Sequence, residues 1–124
     1  MSAQSADGVV CSTATGSTAY ALAAGGPILH PSMDAVVLVP VAPHTLSNRP
    51  IVLPSSKRIE IELVNDRDAT AYFDMQAFCD VEPGDMLRIQ RSERVMEILH
   101  PHNYDYYDLL RRKLKWNYSP TRVK

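Results

Sequence analysis

The run Thr13-Ala14-Thr15-Gly16-Ser17-Thr18-Ala19-Tyr20 crowds hydroxyls, small side chains and a glycine into one short stretch. An alanine-rich segment, Ala19 to Ala24, follows, and Gly25-Gly26-Pro27 closes it. That order predicts a tight loop opening a short helix of about two turns, ended by glycine, which enters the left-handed region at little cost. Unpaired N–H groups and the helix dipole make such a junction a place for phosphate or other polar ligand groups. Ser17 or Thr15 is the expected cap, worth roughly 1 kcal/mol. A capped helix holding no ligand fits the same spacing equally well. The run is neither of two familiar phosphate loops. No Gly-Lys-Ser/Thr follows it, and the G-x-G-x-x-G spacing is missing.

Other chemistry-bearing residues point to plainer roles. Glu60 and Glu62 are two apart and so share a strand face, but a solvated outer face explains them better than an acid/base pair. His100 and His102 flank Pro101 without a cysteine or acidic partner at a familiar metal spacing. Cys11 and Cys79 form no C-x-x-C motif and read as packing residues, Cys11 as a buried one. The basic group Arg111-Arg112-Lys113-Lys115 is local, and the net charge of the chain is −1, which argues against nucleic acid as a partner. No apolar run reaches membrane-spanning length and no signal segment is evident, so neither a membrane nor export is expected.

These residues need a scaffold. The chain has 124 residues, 45% of them hydrophobic, enough for one domain with a core. Val36 to Val41 is a β-branched run predicting a buried strand. Arg49 to Pro54, with prolines at its edges, predicts a strand at a sheet margin. Ile59, Ile61 and Leu63 alternate with Glu60 and Glu62, the pattern of a half-buried strand. A turn is expected at Asn65 to Asp68, a strand at Thr70 to Phe78 and a turn at Glu82 to Asp85. Met86 to Arg91 and Arg94 to Leu99 are expected to pair around Ser92-Glu93. From Asn103 to Trp116 the apolar period becomes helical through Tyr106, Leu109, Leu110 and Leu114. The fold class expected is mainly β with short helices, sandwich-like, with a helical carboxy-terminal tail.

Three ordered blocks of this sequence resemble bacterial NAD kinases: Asp7 to Pro31, Pro40 to Val52, and the pair His100-Pro101 with Lys113 to Trp116. The resemblance implies the β-rich carboxy-terminal half of such an enzyme, with residues 1–100 as a dinucleotide-binding and oligomerisation domain and 101–124 as a tail packing on an amino-terminal domain. It places Asp7 at the NAD ribose, where an acceptor-only carboxylate suits paired hydroxyls. It places Thr18, Ala19 and Tyr20 at the nucleoside pocket, with Ala21, Leu22 and Ala23 continuing the wall. Ala42 would lie near the nicotinamide end, and Gln76 would reach the ligand. Ala14 departs from a proline common in the family motif. Met75 stands where a small residue often precedes the glutamine.

The activity implied is transfer of the ATP γ-phosphoryl to the adenosine 2′-hydroxyl of NAD, giving NADP, with magnesium accompanying ATP and polyphosphate as an alternative donor. The family's Gly-Gly-Asp-Gly-Thr loop, which carries the usual catalytic aspartate, and its Asn-Glu pair do not occur in this sequence. No catalytic residue is therefore assigned here, and these residues alone are expected to be inactive. The resemblance also implies a cytoplasmic homodimer or homotetramer. A stand-alone, non-catalytic nucleotide-binding or oligomerisation module is the competing expectation. Lipid kinases with a related two-part plan are a weaker one.

Overall fold

A computed structural model describes residues 6–43, 48–64 and 66–116. The described chain is mainly β, with short helices. It forms two compact units, Met1–Ser92 and Glu93–Lys124.

The first unit is built on a three-stranded antiparallel sheet ordered β1 (Gly8–Thr13), β2 (Ala35–Val41), β3 (Ile51–Pro54). The β-branched run predicted as a buried strand is the central one, and Val37 and Val39 are 0% exposed. Their alternation points both at one face, where they pack with Ala14, Ala21 and Leu29. Burying each of these valines contributes about 1.5–3 kcal/mol before entropy. β3 lies at the margin, as its prolines predict. Pro40 has no N–H to give to a ladder. It lies past the last β2–β3 pair, Leu38 with Ile51, where β2 has outrun its neighbour.

Two further antiparallel pairs follow. β4 (Ile59–Glu62) pairs with β7 (Met86–Ile89), setting Glu60 opposite Arg88 and Ile61 opposite Leu87. Glu60 makes ion pairs with Arg58 at 3.1 Å and Arg88 at 3.7 Å, so the carboxylates of β4 form a charged outer face. The turn from Glu82 to Asp85 is present: Gly84 has φ 93°, and its N–H donates to the Leu63 carbonyl at 3.0 Å. The turn expected at Asn65 to Asp68 begins on a residue outside the described ones.

Two expectations fail. Thr70 to Phe78 is not one strand but a hairpin of β5 (Ala69–Phe73) and β6 (Ala77–Val81). Asp74 and Met75 both take positive φ, 51° and 56°, and reverse the chain without a glycine. Arg94 to Leu99 forms no strand, because β7 has already found its partner in β4. Ser92-Glu93 supplies neither of the residues a two-residue hairpin favours.

In the second unit, α2 (Tyr106–Leu114) occupies the predicted helical segment. Asp105 caps it, accepting from the N–H groups of Tyr107 at 2.9 Å and Asp108 at 3.3 Å. Lys115 turns left-handed at its end, φ 54°, and the Trp116 N–H returns to the Leu110 carbonyl at 3.4 Å. Leu110 is buried, and Tyr106 and Leu109 are half-buried beside it on the apolar stripe. Ahead of the helix, the rings of His100 and Tyr104 stack at 3.8 Å.

Candidate functional site

The hydroxyl-rich bend begins where β1 ends. The Gly16 N–H donates to Thr13 Oγ1 at 3.3 Å, and the Ser17 N–H to the Ala14 carbonyl at 3.2 Å. Thr15–Thr18 forms a 3-10 turn, and α1 (Tyr20–Ala23) follows after a break at Ala19. The helix is thus one turn rather than two, too short to lend much dipole to a phosphate. Gly25, with φ 92°, ends it as expected. Gly26 has a second duty. A Cβ there would stand 2.7 Å from both the Ala21 carbonyl oxygen and Val39 Cγ2, so only glycine lets the chain cross the sheet so closely.

The expected caps are corrected. Neither Ser17 nor Thr15 caps through its side chain. Ser17 points inward and is 0% exposed. Its hydroxyl donates to the Ala14 carbonyl at 2.7 Å and accepts from the Leu29 N–H at 3.0 Å. The sequence carries a signal for this that cap reasoning passed over. Ala14, Ser17 and Ala21 are spaced as one face of a helical path, and all three are buried.

The family-implied residues fall into three places within the first unit. Thr18, Ala19, Tyr20, Ala21, Leu22 and Ala23 lie together on the bend and α1. Tyr20 is 63% exposed, whereas the Ala21 side chain belongs to the core. Asp7 and Ala42 are brought together at the far end of the β1–β2 ladder, where the Asp7 N–H donates to the Val41 carbonyl at 3.0 Å. Ala42 follows with φ 45°, a left-handed conformation that costs an alanine about 1–2 kcal/mol. Gln76 stands exposed in the turn of the β5–β6 hairpin, its N–H donating to the Phe73 carbonyl at 3.0 Å. It is a loop residue, not a strand one. Residues 44–47 of the second resemblance block lie outside the described residues.

Among the described residues, no group of three or more His, Cys, Asp or Glu is placed to hold a metal ion. Cys11 is half-buried, less than expected, and burial pushes its thiol above the ordinary 9.0. A shallow, open depression of about 310 Å³ at the root of the β5–β6 hairpin contains none of the family-implied residues. No helix among the described residues is long and apolar enough to cross a membrane.

Known proteins share both sequence and geometry. Residues 1–100 match the family model of the ATP-NAD kinase C-terminal domain. The NAD kinase of Cupriavidus pinatubonensis is 55% identical over 118 residues, 95% of this chain and 39% of that protein. The crystal structure of yeast NADH kinase complexed with NADH superposes with a TM-score of 0.85 at 28% identity, covering 100% of this chain and 39% of that one. An Archaeoglobus fulgidus NAD kinase in complex with ATP gives 0.63 at 33% identity over 71% of this chain and 33% of its own. The chain therefore spans about two fifths of the relatives it matches, 39% in the first two cases. A match across residues 1–100, with a shared fold, means that the chain belongs to the ATP-NAD kinase C-terminal domain family.

Proposed function

We propose that this chain is the dinucleotide-holding part of an NAD kinase, which transfers the γ-phosphoryl of ATP to the adenosine 2′-hydroxyl of NAD. One observation supports the reading: the likeness, along the whole of this chain and 39% of the other, to a kinase complexed with NADH. The exposed Tyr20 ring offers a flat apolar face with a wet hydroxyl, suited to a nucleoside ring. Asp7 accepts from ribose hydroxyls and donates nothing, and Ala42 beside it presents backbone to the nicotinamide end. Gln76 reaches the ligand from the hairpin turn. Thr18, Ala19, Leu22 and Ala23 complete the wall, with Ala21 holding it to the core.

Phosphoryl transfer works by placing the acceptor in line and stabilising charge. This chain's share is placement. Deprotonating the hydroxyl falls to an aspartate loop that the sequence does not contain. Magnesium accompanies ATP in the complete enzyme on this reading. Residues 1–100 bind and assemble, while the tail, 101–124, docks on the amino-terminal domain. A homodimer or homotetramer in the cytoplasm completes the reading. Tyr72, Phe73, Met75 and Phe78, all more than half exposed on one hairpin, support a contact that covers them.

Calorimetric titration with NAD tests this. Tyr20→Ala should weaken binding by about 1 kcal/mol, roughly fivefold, through the lost aromatic contact. Equal affinity in a folded variant removes Tyr20 from the site. A wild-type chain that binds no NAD sinks the reading.

A further inference from the structure

We infer that Ser17 is a positioning residue for the dinucleotide, a buried latch that holds the Thr18–Tyr20 wall in its binding shape without touching the ligand. The inference rests on the binding reading above. Its evidence is separate. Ser17 is fully enclosed, while Thr18, one residue on, is half-buried and Tyr20 is exposed. One hydroxyl closes two stretches of chain: it donates to Ala14, three residues back, and accepts from Leu29, twelve residues on. Ala14 and Leu29 are both buried, so losing either bond leaves an enclosed polar group short of a partner. The latch spans the whole bend and α1, so those residues move only if it opens. Gly26 closes the same loop from the other side, its N–H on the Ala21 carbonyl at 2.7 Å. The backbone bonds of the wall residues are short-range: the Ala19 N–H donates to Gly16, Ala23 to Ala19, Ala24 to Tyr20 and Gly25 to Leu22. Their placement relative to the sheet is set by Ser17 and Ala21.

A latch required for binding must in turn be held shut by the ligand. Amide exchange of the unaltered chain reads this directly. Holding NAD about ten times above its dissociation constant should slow exchange at the Leu29 amide roughly tenfold, if opening of the latch is the route of exchange. The Leu87 amide on β7, in another sheet, should slow less. Equal slowing at the two amides, or none at Leu29, overturns the inference. Ser17→Ala in the full chain supplies the second arm. It should lower NAD affinity at least fivefold at a temperature where circular dichroism shows it folded. Ile59→Val, a destabilising change on β4, should leave affinity unchanged. Wild-type affinity in folded Ser17→Ala overturns the latch. Should Ser17→Ala fail to fold, Ser17→Cys, which keeps an atom there with weak hydrogen bonding, takes its place under the same criterion. Loss of binding in Tyr20→Ala with none in Ser17→Ala rejects the latch and keeps the site. A wild-type chain that ignores NAD rejects both.

Discussion

Gly26 shows how one absent atom shapes a site. A β-carbon there would meet a backbone oxygen and a core methyl, both at 2.7 Å, and neither can swing away. Gly26→Ala should cost about 1–3 kcal/mol by overpacking, measured by urea unfolding. An unchanged midpoint would mean that the loop slides freely off β2. Ser17 teaches the complementary lesson. Its residue type suggested a cap, because serine so often is one. Burial decided otherwise, and the small-residue spacing of Ala14, Ser17 and Ala21 held that information. Tyr20 heads α1 and is 63% exposed, a placement that its residue type and spacing did not decide.

At the scale of elements, legibility followed local chemistry. β2 announced itself by β-branched residues, β4 by strict alternation and α2 by its apolar stripe, and all three are where that chemistry puts them. The β5–β6 hairpin was invisible. Its turn rests on Asp74 and Met75 at φ 51° and 56°, and no glycine marks it. The pairing of β4 with β7 was equally hidden, because long-range register is set by which apolar faces meet rather than by the nearest turn. The hairpin carries its own prediction. A left-handed methionine costs about 1–2 kcal/mol, part of which glycine returns as lost chain freedom. Met75→Gly, which leaves an Asp-Gly turn, should therefore stabilise the chain by about 0.5–1 kcal/mol in urea unfolding. A loss of stability would show that the Met75 side chain contributes contacts worth more than the strain.

For the whole molecule, the division of labour is the testable point. On the proposed reading, the bend, the Asp7–Ala42 end and the hairpin turn place the dinucleotide, and deprotonation of the 2′-hydroxyl falls to the family's aspartate loop, a motif this sequence does not contain. The purified chain incubated with ATP, magnesium and NAD should form no NADP. Formation of NADP by this chain alone would overturn the assignment of catalysis to another domain. What the sequence told of the site was its membership, through ordered motifs. How the pieces are held relative to the sheet came only from burial and long-range hydrogen bonds.

The two-stranded ribbon of β5 and β6 has a further consequence. Among the described residues, each strand keeps one long side with no neighbour in its sheet, and Tyr72, Phe73 and Phe78 line the ribbon in the open. A bare backbone edge beside aromatic rings is the template on which identical chains stack into fibrils. Concentrated by itself, the protein should seed ordered aggregates from that ribbon first, and whatever shields it in a larger assembly also serves as its safeguard against them.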